Sequence, residues 1–182
     1  MIAVKELKTD RLVLKKITQN DLRDYIEWKS QQAYHEFLPS NPKTKEEYKK
    51  SIDAIIKGYQ NKEKTALVWG IFLNNKLIGS VSIENLNIED NSCEIGWGLN
   101  PKYQKQGYAF ESVKCLVNHI FNTIKIDKIL ITIWDGNDSS KKLAEKLDFV
   151  LENIDSKART KNDKSIDLHN YSLLKKDWNY KI

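Results

Sequence analysis

Two periods of hydrophobic recurrence organise this chain. "RLVLKKI" (11–17) alternates apolar and polar positions, the period of a strand with one buried face. Thr18 and Asp21 then have the spacing of a capping box, which predicts a helix through "DLRDYIEWKS". Pro39 and Pro42 mark the aromatic stretch "YHEFLPSNP" as a loop. A second capping pair, Thr44 and Glu47, precedes Tyr48, Ile52, Ile55, Ile56 and Tyr59, which share one helical face. Three strand-like runs follow: "TALVWGIFL" (65–73), "KLIGSVSIENL" (76–86) and "SCEIGWGL" (92–99). Asn74-Asn75 suits a tight hairpin turn between the first two, and polar "NIED" separates the second from the third. An antiparallel meander is expected.

Beyond it, Ala109, Val113, Leu116, Val117, Ile120, Phe121 and Ile124 form one continuous helical stripe. "KILITIW" (128–134) reads as a buried strand and "GNDSSKKLAEKL" (136–147) as a turn and short helix. "FVLENID" and "SIDLHNYSLL" close the chain as two strands with a polar loop between them. The order β-α-α-β-β-β-α-β-α-β-β, with no repeat and no boundary, predicts a single α+β (mixed α/β) domain over residues 1–182.

Composition narrows the function classes. The chain has 182 residues, 40% apolar and 30% charged, with only seven glycines and three prolines, which fits one domain with a real core. The net charge of +5 suits an anionic ligand or a lysine-rich surface. Because the lysines are dispersed, no nucleic-acid patch is indicated. Cys93 and Cys115 have neither disulfide-scaffold nor zinc spacing, and His35, His119 and His169 show no metal-ligand spacing, so no metal is expected. "MIAVKELKTD" lacks the apolar core of a signal peptide, and no run reaches membrane-spanning length. A cytoplasmic protein with no membrane partner is the expectation.

The chemistry concentrates in "NPKYQKQGYAFES" (100–112), where a strand gives way to a long helix. The first N–H groups of a helix lack backbone partners, and the helix dipole is positive there, so this junction suits an anion; a simple strand-to-helix connection eased by glycine is the alternative. Gly107 permits positive φ and close backbone approach, Ala109 is small, and Lys102 and Lys105 add positive charge. The GxxxxGK[ST] spacing of a nucleotide P-loop is absent.

"QKQGYA" fits the pattern Q/R-x-x-G-x-G/A through Gln104, Gly107 and Ala109, and so resembles the acyl-CoA pyrophosphate loop of the GNAT N-acetyltransferase superfamily. "TDRLVLKKITQNDL" (9–22), "NDSSKKLAEKLDF" (137–149) and "HNYSLLKKDW" (169–178) are similar to further segments of its RimJ/RimL-like branch. The resemblance implies the GNAT fold, a mostly antiparallel twisted sheet flanked by helices. It implies acetyl-CoA as co-substrate and direct acetyl transfer to a primary amine. The acceptor is expected to be a protein N-terminus. A small amine such as an aminoglycoside or polyamine is the alternative enzyme reading, and a non-catalytic acyl-CoA-binding module is the third. Monomer and homodimer both remain open.

The same resemblance assigns residues. Gln104, Lys105, Gln106, Gly107, Tyr108 and Ala109 would hold pyrophosphate, with Asn137 and Ser140 also at the cofactor. Trp97, Gly98 and Leu99 would pair their main chain with pantetheine, and Gly96 and Gly98 would loosen that strand. Glu94 would accept the amine's proton, directly or through water, unless it is an ordinary strand glutamate. The tyrosine that many members use as an acid is replaced by Ala144, so Ser140 is the candidate acid, or else part of a helix cap with Asn137 and Ser139. Tyr34, His35 and Phe37 are candidates for contacting the acceptor; each is also an ordinary core or surface residue type. Asp148 stands where the family has a glycine at a left-handed helix end, and local strain is expected there.

Overall fold

The computed structural model describes residues 3–61 and 66–180, so Thr65, the first residue of the strand expected over 65–73, lies outside the described residues. Local chemistry accounts for most of the elements. Asn74 and Asn75 take φ of 48° and 66°, the double left-handed turn that asparagine tolerates. They fold β3 (Leu67–Leu73) directly onto β4 (Lys76–Asn87), and β4 then pairs antiparallel with β5 (Ser92–Leu99). The expected meander is present. Short β1 (Leu7–Lys8), which the alternation pattern did not predict, pairs with β2 (Val13–Lys15), and β2 pairs with β3.

Both capping boxes form. The Thr44 hydroxyl accepts from the Glu47 amide at 3.3 Å, Glu47 answers the Thr44 amide at 2.8 Å, and α2 (Lys45–Gly58) starts there. Thr18 and Asp21 close a single 3-10 turn that runs into α1 (Leu22–Lys29). The long apolar stripe becomes α3 (Tyr108–His119), whose last turn, Ile120–Ile124, widens to π geometry before Lys125 breaks it with φ of 65°. Next come β6 (Lys128–Trp134) and α4 (Asp138–Lys146). Asp148 takes φ of 63° beyond α4, as expected where a glycine is usual, while Phe149 N–H closes the turn on Ala144 at 3.0 Å.

One expectation is corrected. The polar stretch between the last two strands is not a loop. Instead β7 (Val150–Lys161) and β8 (Lys164–Leu174) form one long hairpin joined by Asn162-Asp163, both at positive φ. β7 is an edge strand exposed on both faces, so no buried side imposes the alternation that would have revealed it.

The described strands make one sheet in the order β1-β2-β3-β4-β5-β6-β8-β7. Every pair is antiparallel except β5 with β6. Two cores cover its faces. Val81, Ile95, Val113, Leu116, Val117, Ile131 and Trp178 belong to the α3 side, and Ile17, Tyr25, Trp28, Tyr48, Ile52 and Leu77 to the α1–α2 side. At 25 cal/mol per Å², burying a side chain of this size stabilises by about 1.5–3 kcal/mol. β5 and β6 stay paired only from Ser92–Lys128 to Glu94–Leu130, after which the strands part. The parted end of β5, Trp97–Leu99, opens on the next feature.

Strand β4 presses close to that end. A Cβ added to Gly79 would collide with the Gly98 carbonyl oxygen and stand 2.9 Å from Leu99 Cδ1. Gly79→Ala is therefore expected to cost about 1–3 kcal/mol, as overpacking does, and to lower the urea midpoint without changing the slope. A midpoint equal to wild type would show that β5 shifts there freely.

Candidate active site

The parting of β5 from β6 leaves a wedge, and three chain ends point into it. A cavity of about 560 Å³ is lined by Trp97, Gly98 and Leu99 of β5, by Gln104, Lys105, Gly107, Tyr108 and Ala109 at the start of α3, and by Asn137 and Ser140 at the start of α4. Tyr34 and Phe37 close its far side. Most of the residues singled out in the sequence thus meet in one place. Gln106, Glu94 and His35 do not line it.

The α3 end is built as an anion site. Gly107 has φ of +84° and Lys105 φ of 60°, so the chain turns sharply just before the helix. The first helical amide to find a backbone acceptor is Glu111, on Gly107 at 3.0 Å, while the N–H groups of Tyr108, Ala109 and Phe110 have no backbone partner among the described residues. Those three amides and the dipole they end are what a pyrophosphate needs. The Gln106 side chain turns away to the Lys102 carbonyl at 3.3 Å, which removes it from the cavity. These features fit the pyrophosphate and pantetheine parts of a coenzyme A thioester.

At the α4 end the division of labour is visible. Asn137 Oδ1 accepts from the Ser140 amide at 3.2 Å and from the Ser139 hydroxyl at 3.0 Å, so Asn137 is the cap. The Ser140 hydroxyl has no hydrogen-bond partner among the described residues and lies on the cavity wall.

His35 is a framework residue. It is buried; Nε2 donates to the Lys29 carbonyl at 2.6 Å, and Nδ1 accepts from the Ser40 hydroxyl at 3.0 Å. Both ring nitrogens are occupied in holding the loop, which leaves none for an acceptor. Tyr34 explains Gly98 in a way that strand loosening does not. A Cβ at residue 98 would lie 2.7 Å from the Tyr34 hydroxyl, so glycine makes room for the ring. That hydroxyl receives a hydrogen bond from Lys29 Nζ at 2.7 Å. Burial pulls the Lys29 amine down to about 8, with the Lys43 charge adding to the effect.

Glu94 lies four residues from Gly98, roughly 13 Å along the strand. Its Oε2 accepts from Asn85 Nδ2 at 2.8 Å. It pairs in register with Glu84, and Glu84, Ser82, Ser80 and Lys29 line a second, polar cavity on the α1–α2 face of β4. Gly96 lies bare beneath Ser82 and Glu84: a Cβ there would stand 3.1 Å from Ser82 Oγ and 3.2 Å from Glu84 Oε1. The two cavities are linked by Lys29, which lines the second and donates to Tyr34 of the first.

Sequence reasoning missed three supports. Lys161, at the tip of the β7–β8 hairpin, donates to the His35 carbonyl and to the Leu38 carbonyl at 2.7 Å, so it clamps the loop that carries Tyr34 and Phe37. Glu27 joins Lys76 at 2.9 Å and Lys102 at 3.2 Å, tying α1 to the segment before the anion loop. Arg11 grips Glu111 and the Gln106 carbonyl. Each contact spans many residues of sequence, and a lone charged residue carries no local signal of it. The two thiols play no part in the cavity lining: burial pushes Cys93 up to about 12 and, with the Glu111 charge, Cys115 up to about 11.

Comparisons with known proteins agree with this geometry. A family model described as an acetyltransferase (GNAT) domain matches residues 11–150. The chain is 25% identical over 175 residues to the uncharacterized N-acetyltransferase YnaD of Bacillus subtilis (strain 168), covering 95% of this chain and 99% of that one. It is 24% identical over 139 residues to the ribosomal-protein-serine acetyltransferase of Escherichia coli (strain K12), covering 76% and 74%. Among solved structures, RimL, the ribosomal L7/L12 alpha-N-protein acetyltransferase in complex with coenzyme A, superposes with a TM-score of 0.83 at 21% identity, covering 93% of this chain and 98% of that one.

The Glu27 anchor has a pH signature. The hydrogen bond from Lys76, against a smaller opposing effect of burial, brings its carboxyl down from 4.5 to about 2, with Lys102 assisting. A carboxyl lowered on folding adds stability that is complete above its unfolded value and is lost as pH falls to its folded one. Glu27→Gln should therefore lower the urea midpoint at neutral pH, and its deficit relative to wild type should shrink as pH falls from 4.5 to about 2. A deficit that does not change over that range would mean the ion pairs contribute nothing to stability.

Proposed function

As this chain belongs to the GNAT acetyltransferase family, in its RimJ/RimL-like branch, we propose that it moves an acetyl group from acetyl-CoA directly to the N-terminal amine of a protein. The observation that carries this reading is the convergence of the α3 end, the parted edge of β5 and the α4 end on one cavity. The names of two relatives, both ribosomal-protein acetyltransferases, support a protein acceptor.

The bound co-substrate supplies an acetyl thioester, whose thiolate leaves readily because a thiol pKa is only about 8.5. The open amides of Tyr108, Ala109 and Phe110 bind its pyrophosphate, and the edge of Trp97–Leu99 that β6 has left pairs with pantetheine. Asn137 holds the Ser140 amide, which places the free Ser140 hydroxyl to pass a proton to the departing sulfur while taking one from solvent water. An amine with a pKa of about 8 to 10 arrives charged and must lose a proton before attack. Glu94, roughly 13 Å along β5 from Gly98, takes that proton through intervening water.

One observation favours a second reading, in which the acceptor is a small polyamine. The carboxylates of Glu84 and Glu94, opposite each other on β4 and β5, would hold a second cation.

The test is thiol release from acetyl-CoA with a panel of N-terminal peptides, polyamines and aminoglycosides. Peptide-dependent release is expected, and polyamine-dependent release would select the second reading. Ser140→Ala should lower kcat by about 10-fold or more with acetyl-CoA binding unchanged, and Glu94→Gln should flatten the low-pH limb of kcat/KM. Absence of acetyl-CoA binding by the wild-type chain would overturn the proposal.

A further inference from the structure

The anion loop does not stand alone; a residue from the opposite end of the chain holds it. Arg11 precedes β2, roughly a hundred positions before α3, yet its side chain lies directly behind Gly107. Nη1 donates to the Gln106 carbonyl at 3.0 Å, and Nε and Nη2 reach Glu111 Oε2 at 2.7 and 2.6 Å. The Arg11 amide adds a bond to Glu111 Oε1 at 2.9 Å, and Thr9 Oγ1 adds another at 2.5 Å. The guanidinium also lies 4.5 Å from the centre of the Tyr108 ring. It touches the residues on both sides of Gly107 and the first turn of the helix, all at once.

Two physical problems are solved by this arrangement. The first is conformational. Gly107 at φ of +84° is a flexible residue in a turn, and a ligand that must order it loses affinity by the entropy of doing so. Arg11 fixes the Gln106 carbonyl and Glu111 relative to each other, so the amides between them are already aimed. The space above Gly107 is filled as well: a Cβ there would sit 3.2 Å from Arg11 Nη2. The second problem is electrostatic. Glu111 is a carboxylate in the first turn of the helix that presents the anion site, where an uncompensated negative charge would repel a pyrophosphate. Burial opposes the charge of Glu111, but the bonds from Thr9 and Arg11 outweigh it and keep the carboxyl ionised below its usual range. Its charge is neutralised by the same guanidinium.

We infer that Arg11 is a positioning residue for the cofactor loop: it locks Gln106, Gly107 and Glu111 into the conformation that binds the pyrophosphate, without itself contacting the reacting atoms. This rests on the reading that the loop before α3 takes the pyrophosphate of acetyl-CoA. The planar guanidinium is essential, since it bridges a carbonyl and a carboxylate in one plane; a lysine ammonium offers one point of charge and cannot span both.

The test is calorimetric titration of wild type, Arg11→Ala and Arg11→Lys with coenzyme A, alongside KM for acetyl-CoA, kcat and the thermal midpoint. Arg11→Ala is expected to weaken coenzyme A binding and raise KM about 10-fold while kcat stays within about twofold. Arg11→Lys should recover less than half of that loss on a logarithmic scale, because it restores charge but not the fork. Wild-type affinity in Arg11→Ala, or full recovery in Arg11→Lys, would overturn the inference. If Arg11→Ala does not fold, Arg11→Lys at a near-native thermal midpoint decides: weaker binding supports the lock and unchanged binding overturns it. A wild-type chain that binds no coenzyme A would instead overturn the functional reading on which the inference rests.

Discussion

A backbone amide or carbonyl that leaves a β-ladder must find another partner, and this requirement governs the centre of the molecule. β5 follows β6 for only three residue pairs and then continues without it. On its other side the ladder to β4 runs on to Leu99, so β5 cannot bend away to satisfy itself elsewhere. The unmatched edge is held in place by one neighbour and exposed by the departure of the other. α3 and α4 start beside the wedge, and the first three amides of α3 have no backbone partner among the described residues. An elongated, polar, negatively charged ligand is what such an arrangement fits.

The two faces of the sheet divide the work. The α3 side carries the larger apolar core and the anion site, whereas the α1–α2 side carries the polar cavity of Ser80, Ser82 and Glu84. Tyr34 stands between them, touching Gly98 at the first cavity and taking its hydrogen bond from Lys29 of the second. The glycines of "EIGWGL" belong to this division. Each keeps the α1–α2 face of β5 bare, so that Glu84 and Tyr34 lie against backbone and not against side chains.

What the sequence revealed were features whose cause is local. Asn74-Asn75 made a turn, Thr44 and Glu47 made a cap, and the apolar stripe from Ala109 made a helix, because each depends on residues within a few positions. The glycine before α3 was legible for the same reason, and it led to the family and to most of the cavity wall. Long-range features were not legible. Nothing near Arg11 announces Glu111, and nothing near Lys161 announces the carbonyls of His35 and Leu38. The partners of the His35 ring, the Ser40 hydroxyl and the Lys29 carbonyl, are brought together only by the folded loop. The β7–β8 hairpin was read as two strands and a loop because exposure on both faces erased its periodicity.

The clamp by Lys161 bears on how the molecule comes into being. Loop 32–38 is specified early in the chain, but the ammonium that holds its carbonyls belongs to a hairpin more than a hundred residues later. During synthesis on the ribosome the loop emerges long before its clamp exists. The β3–β4–β5 meander finds its partners close in sequence, while the Lys161 clamp on residues 35–38 at the cavity wall must wait for the β7–β8 hairpin to emerge and fold back.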